Sequence, residues 1–239
     1  MFLVTHGFAS SRAEAQAAIR AGLVQADGQI VSRPAQLLRD DAEIKYQPQH
    51  PYVSRGGVKL AAALDYFGLS PADRVCLDVG ASTGGFADVL LERGARRVYC
   101  VDVGHGQLHP RLLQTGRVVS LEGVDARELG STAIPEHPQV VTADLSFISL
   151  RQAIGPALDL AAEGAWAVLL VKPQFESGPG AVSAAGIIRD PAVQEAALAN
   201  VSAWVVARGW EKIGAMESPI TGKEGNHEYL LAARKPYSR

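Results

Sequence analysis

With only two cysteines in 239 residues, the chain cannot rest on a disulfide framework, and a cysteine-built metal site is excluded as well. Cys76 and Cys100 both fall inside apolar strand-like runs, as small core residues do, and a reducing compartment fits them. Also missing is any apolar run near the ~20 residues that span a bilayer, and the start shows no basic, apolar-cored signal segment. A soluble, cytoplasmic chain without a membrane partner is therefore expected. Nor is there an excess of one charge: 23 lysines and arginines stand against 25 aspartates and glutamates, a net charge of −2. No global basic field exists for nucleic acid, so any RNA contact must come from local patches. Apolar residues are plentiful at 47%, with 20% charged, enough for one substantial core and a small extra module.

The small module comes first. "SSRAEAQAAIRAG" (10–22) has a capping-box spacing, Ser11 with Glu14, followed by alanine-rich helical sequence closed by Gly22. "LVQADGQIV" (23–31) puts Asp27-Gly28 between apolar stretches, a tight turn between strands, and "AQLLRDDAEIKYQ" (35–47) adds a further short strand. Arg12, Gln16 and Arg20 recur at i, i+4, i+8 and share one helix face. The wording "ASSRAEAQAAIRAGLVQADGQIV" resembles the α+β αL RNA-binding fold of ribosomal-protein type. That resemblance implies that this arginine face and the hairpin after it hold structured RNA. Two departures are visible: the first helix is clipped, and five basic residues (Arg12, Arg20, Arg33, Arg39, Lys45) only balance five acidic ones (Glu14, Asp27, Asp40, Asp41, Glu43). Prolines and glycines in "YQPQHPYVSRGG" (46–57) interrupt the pattern, so the domains expected are 1–48, a linker over 49–57, and 58–239.

Beyond the linker, apolar strands alternate with helical segments: "RVCLDVG", "GFADVLLERG", "RVYCVDVG", "VVSLEG", "QVVTADLSF", the helix-like "LRQAIGPALDLAA", "AWAVLLVKP", a long helix near 191–207, and two final strands. This predicts an α/β, doubly wound, mostly parallel sheet of Rossmann-like kind, with ligands gathered at the carboxyl ends of its strands. The first strand runs into "DVGASTGGF" (78–86), whose glycines let backbone turn sharply and approach a ligand. Gly80, Gly84 and Gly85 do not satisfy G-x-G-x-x-G, and the missing middle glycine argues against a pyrophosphate. Asp102, about twenty residues on, suits a ribose diol. A nucleoside ligand without a diphosphate, such as S-adenosylmethionine, fits both facts.

Four ionisable residues then fall at strand ends or loop edges: Lys59 in "VSRGGVKL" just before the first long helix, Asp144 in "VVTADLSF", Lys172 in "LLVKPQFE", and Glu228 in "GNHEYLLAA". Pro173 pushes Lys172 toward extended backbone, so its amine should sit where the sheet opens into a loop. Each alone could be a surface charge or a satisfied ion pair. Gathered in one crevice, two amines and two carboxylates can make a neutral lysine, a usable general base.

In order, "SRGGVKL", "DVGASTGGF", "DVGHGQL", "DLSFISL", "VKPQFE" and "SPITGKEGNHEYLL" resemble the TlyA family, whose large domain is a methyltransferase of the FtsJ type. The resemblance spans nearly the whole chain. It implies S-adenosylmethionine-dependent 2′-O-methylation of ribosomal RNA, performed by Lys59, Asp144, Lys172 and Glu228 without a metal. Lys172 would act on the hydroxyl, Asp144 and Glu228 would orient the amines, and Lys59 would disfavour the charge on Lys172. The cofactor is expected against Gly80, Ala81, Ser82, Thr83, Gly84, Gly85 and Phe86, against Asp102 and Val103, and against Asp125, Ala126 and Asp144. Arg12, Gln16, Arg20 and Arg55 are expected to meet RNA. Asp125 and His109 stand where the family leads one to expect an asparagine and an aromatic residue.

The expected partner is ribosomal RNA or a ribosomal subunit, acted on by a monomer. The short ends resemble members that modify a cytidine of large-subunit RNA, with small-subunit RNA as a second target. Alternatives are a dinucleotide oxidoreductase, a membrane-active protein of the haemolysin type, and an inactive RNA-binding protein.

Overall fold

The computed structural model describes residues 2–9, 12–46, 50–178, 186–222 and 225–237. It divides into two compact units, Met1–Val53 and Ser54–Arg239. In the first, α1 (Phe2–Thr5) and α2 (Arg12–Arg20) precede β1 (Val24–Ala26), β2 (Gln29–Ile30) and β3 (Ile44–Tyr46), an antiparallel sheet ordered β2-β1-β3. Helix α2 closes on Gly22 at φ +71, with Leu23 N–H donating to Ala18 O at 3.0 Å, a left-handed closure that suits glycine. Asp27 and Gly28, at φ 50 and 78, make the two-residue hairpin turn. Asp27 also fastens the sheet, because its Oδ1 accepts Glu43 N–H at 2.9 Å while its own N–H donates to Glu43 O. Leu3, Ala15, Ala18, Ile19, Val24 and Val31 fill the small core. The Ser11–Glu14 capping box lies outside the described residues.

The second unit runs α3 (Gly56–Phe67), β4 (Val75–Val79), α4 (Gly85–Glu92), β5 (Arg97–Asp102), α5 (Pro110–Leu113), β6 (Val118–Glu122), a 3-10 turn (Ala126–Glu128), β7 (Val140–Ala143), α6 (Leu150–Ala153), α7 (Gly155–Leu160), β8 (Trp166–Val171), α8 (Pro173–Glu176), α9 (Pro191–Ala207), β9 (Glu211–Glu217) and β10 (Tyr229–Arg234). Its seven-stranded sheet is ordered β6-β5-β4-β7-β8-β10-β9. The first five of these are parallel, and β10 runs antiparallel to both β8 and β9. Every residue of β4, β7 and β8 is buried, so these strands read as mainly apolar runs, broken only by Asp78 and Thr142, rather than as alternation. Leu169 and Leu170 in β8 are fully buried, each contributing about 1.5–3 kcal/mol. Cys76 and Cys100 are buried too, and burial pushes both thiols up. The strand order reverses between β4 and β7, which opens a crevice at their carboxyl ends.

Three local expectations need correction. Lys59 lies inside α3, three residues past its start, not before it. The helix begins at Gly56 itself, and its close approach to α4 depends on Gly85, where a Cβ would fall 2.1 Å from Ser54 Oγ and 3.1 Å from Gly57 N. "LRQAIGPALDLAA" is two helices, α6 and α7, because Pro156 cannot donate to the preceding turn but is accepted in the first turn of α7. Lys172 opens onto α8 rather than a loop, with Pro173 in the first helical position, where its fixed φ is an advantage.

Candidate active site

The sheet brings the four ionisable residues to one edge. Asp144 leaves the end of β7, its N–H donating to Val79 O at 3.0 Å, and Lys172 leaves the end of β8. Strand β10 is antiparallel with Tyr229 opposite Val171, so Glu228, one residue before it, emerges at the same edge as Lys172. Lys59 comes from the first turn of α3. Together they form two ion pairs. Lys59 is bonded to Glu228, with side chains 9% and 3% exposed. Lys172 Nζ lies 2.6 Å from Asp144 Oδ1 and donates to Ser146 Oγ at 2.9 Å. Its approach to Asp144 is off the hydrogen-bond line, so that buried oxygen is matched in charge but has no aligned donor. Lys59 thus carries its own counter-charge in Glu228.

Beside Lys172 and Asp144 lies a cleft of about 490 Å³ over the switch between β4 and β7, within the range of small-molecule sites. Gly80, Ser82, Asp102, Val103, Asp125, Ala126 and Asp144 line it. Gly80 is obligatory there: φ is +79, and a Cβ would meet the Asp144 carbonyl oxygen at 2.5 Å. Ala81, Thr83, Gly84, Gly85 and Phe86 stand outside the lining. Gly84 faces Leu108 and Leu112, Gly85 faces Ser54, and Phe86 is buried in the core. Asp102 ends β5, where its Oδ2 accepts Ser82 N–H and its Oδ1 accepts Gly104 N–H, each at 2.8 Å. It holds both loops that edge the cleft. Asp125 caps the 3-10 turn and is clasped by the Arg127 guanidinium, whose hydrogen bonds hold its carboxyl at about 2. His109 is likewise a cap, its Nδ1 accepting Arg111 N–H.

A family model described as FtsJ-like methyltransferase matches residues 52–235, and an S4 domain model matches residues 1–44. The chain belongs to the FtsJ-like methyltransferase family. Over 239 residues it is 42% identical to the Mycobacterium tuberculosis protein named 16S/23S rRNA (cytidine-2′-O)-methyltransferase TlyA, covering 99% of this chain and 89% of that one. It is 41% identical over 232 residues to Hemolysin A of Brachyspira hyodysenteriae, covering 96% of each. A solved structure from Streptococcus thermophilus, named as a haemolysin, superposes with a TM-score of 0.81 at 38% identity, covering 99% of this chain and 87% of that one. Among the described residues no helix is long and apolar enough to cross a membrane, and no cluster of His, Cys, Asp and Glu could hold a metal ion.

This FtsJ-like site also contains residues that spacing did not reveal. Glu122, at the end of β6, accepts N–H groups of Gln107, Gly106 and Leu108, which hold its carboxyl below the usual range and close the loop after β5. Phe147 is 92% exposed on the cleft rim at φ +67, a strained setting for an aromatic residue. Its ring lies 5.4 Å from that of Phe175, over which the Lys172 amine also sits. Asp78, fully buried in β4, accepts Thr142 Oγ1–H at 2.8 Å and Ala87 N–H at 3.1 Å, and burial raises its carboxyl to about 7. A carboxylate in an apolar run was visible in "CLDVG", but nothing in the letters tells a buried anchor from a strand-end charge. Of the residues expected to meet RNA, Arg55 donates to Thr221 O at 3.0 Å, and Arg20 donates to Gln16 Oε1 at 3.3 Å on the exposed face of α2 beside Arg12.

Proposed function

We propose that this protein uses S-adenosylmethionine to methylate the ribose 2′-hydroxyl of a cytidine in ribosomal RNA. What carries this reading is the Lys172–Asp144 pair at the rim of a nucleoside-sized cleft, in a chain whose relatives are named for that reaction. The cleft suits the cofactor: Gly80 allows close backbone approach, Asp102 offers acceptor oxygens at a strand end, and no pyrophosphate loop is present. Bound S-adenosylmethionine would supply an electrophilic sulfonium methyl, departing with the electron pair of its sulfur–carbon bond as a thioether.

With its ammonium proton first given up to solvent, the neutral Lys172 amine meets the 2′-hydroxyl and accepts its proton as the oxygen–methyl bond forms. Asp144 and Ser146 fix the direction of the amine, and the Lys59–Glu228 pair fixes α3 against the start of β10. Phe147, exposed on the rim, offers a ring on which the target base stacks. The 1–48 segment would be the RNA-binding domain, with Arg12, Gln16 and Arg20 on its helix and Arg55 within the 49–57 linker; residues 58–239 transfer the methyl group. The protein would work as a cytoplasmic monomer on large-subunit RNA, with small-subunit RNA as a second target.

The test is transfer of labelled methyl from S-adenosylmethionine to ribosomal RNA or subunits, with nucleoside mass spectrometry of the product. A 2′-O-methylcytidine at a defined position is expected, whereas label on a base, or none, would sink the reading. Asp102→Ala should weaken cofactor binding by roughly 1–3 kcal/mol, the cost of leaving polar groups unpaired, and unchanged affinity in calorimetry would remove Asp102 from the site.

A further inference from the structure

We infer that Glu176 is a positioning residue for methyl transfer, tying the segment that carries Lys172 to the loop that carries Asp144, Ser146 and Phe147. Glu176 ends α8, four residues after Lys172, and its side chain is 1% exposed. Its Oε2 accepts Ser149 Oγ–H and its Oε1 accepts Leu150 N–H, both at 2.6 Å. Arg151 adds an Nε contact to Oε2 at 3.4 Å and donates to the Glu176 carbonyl oxygen at 3.4 Å. A carboxylate is costly to bury, and apolar packing would usually serve stability as well or better. The three donors to this carboxylate, and the Arg151 donor to the Glu176 carbonyl oxygen, all come from residues 149–151 and fasten that one segment.

The segment is the far end of the loop 144–148. Its near end is held by Asp144 N–H on Val79 O, and between these anchors Phe147 sits at φ +67. The Lys172 amine depends on this loop for both oxygens beside it, Asp144 Oδ1 at 2.6 Å and Ser146 Oγ at 2.9 Å. Lys172 itself is tied to α8, since Phe175 and Glu176 N–H groups donate to its carbonyl oxygen. Glu176 therefore sets the register between amine and loop while touching neither cleft nor rim. Misplacement of a reacting group by about 1 Å can cost ~10²-fold in rate.

This inference rests on the methyl-transfer reading above. The experiment measures single-turnover transfer to ribosomal RNA, cofactor affinity and RNA affinity for the full chain and for Glu176→Ala and Glu176→Gln. The alanine variant should lose roughly 10- to 100-fold in rate at saturating substrate, with both affinities within about twofold of the parent. The glutamine variant should recover most of the rate, because its amide oxygen still accepts Leu150 N–H and its NH₂ can donate to Ser149 Oγ. An unchanged rate in Glu176→Ala overturns the inference. So does a loss that tracks weakened cofactor binding and is not rescued by glutamine, which would mark a scaffold role alone. If the alanine variant does not fold, Ser149→Ala removes one of the two short bonds and must show the same split between rate and affinity. A parent protein that methylates no RNA would sink the functional reading itself, whereas an active parent with an equally active Glu176→Ala sinks only this inference.

Discussion

The two units place their charges in opposite surroundings. In the small unit the Arg39–Asp41 side chains are 75% and 71% exposed, and those of Lys45–Glu43 are 70% and 75% exposed. In the large unit the corresponding figures are 9% and 3% for Lys59–Glu228, and 10% and 25% for Lys172–Asp144. Water already solvates the first set, so pairing adds little to stability. The second set has been taken out of water at a cost that pairing only partly offsets, so its placement calls for a task beyond stability. The same letters, lysine and aspartate, mean different things in the two places.

The comparison breaks first at Lys172. Lys172→Ala should leave fold and cofactor affinity nearly intact, yet lower methyl transfer by ~10²–10⁴-fold, the range for losing a positioned acid–base group. Lys172→Arg should be almost as damaging, since guanidinium keeps its charge and cannot accept the hydroxyl proton. Full activity in the arginine variant would reduce the residue to electrostatic positioning. Lys59 offers the next largest effect. Removing it as Lys59→Ala strands Glu228 in the interior and should cost roughly 3–5 kcal/mol in denaturant unfolding of the large unit. Asp41→Ala in the small unit should leave the melting temperature unmoved. Equal shifts at the two sites would erase the distinction drawn between them.

Much of this was legible beforehand, for physical reasons that differ by residue. Strands β4, β7 and β8 announce themselves because burial on both faces demands mainly apolar runs. The hairpin at Asp27-Gly28 does so because two positive φ angles demand those residue types. Asp144, Lys172 and Glu228 stood out as charges at the ends of apolar runs, which only a strand end can tolerate. Glu176, Glu122 and Asp78 did not stand out. Their partners are mostly backbone N–H groups from distant segments, and a backbone donor has no letter. Pairing within the tetrad was equally hidden, since it depends on the antiparallel register of β10 against β8.

Asp78 sharpens the comparison from the other side, as a buried carboxylate that the large unit holds with hydroxyl and N–H donors instead of an amine. Its acid is raised from 3.8 to about 7 by burial, with Asp144 adding repulsion. Between those values the folded chain keeps a proton that the unfolded chain gives up. This group's contribution to stability is therefore present at acid pH and is lost as pH rises toward 7, by at most about 4 kcal/mol. Asp78→Asn cannot ionise, while its amide can still accept Ala87 N–H and donate to Thr142 Oγ1. Unfolding free energies of parent and variant should diverge from about pH 4 upward, with the variant above the parent near pH 8. Parallel curves would mean that Asp78 stays ionised throughout and that its two donors suffice.

The smallest effect is expected where charge is exposed. Arg12 and Arg20 lie two turns apart on one face of α2, and Arg20 leans on Gln16 at 3.3 Å. If they neutralise phosphates, Arg12→Ala combined with Arg20→Ala releases one or two fewer counterions. The slope of log affinity against log salt should then fall by about 1–2, with a several-fold loss in RNA binding near physiological salt. Cofactor affinity should not change, because the cleft is built wholly from the second unit. The five-to-five charge balance of the first fifty residues limits how large the loss can be: no surplus field remains to attract RNA at long range, so the arginines must act by contact. An unchanged salt slope in the double variant would therefore assign this helix face to solvent, and RNA recognition would have to come from the second unit, with Arg55 and the rim around Phe147 as its nearest candidates.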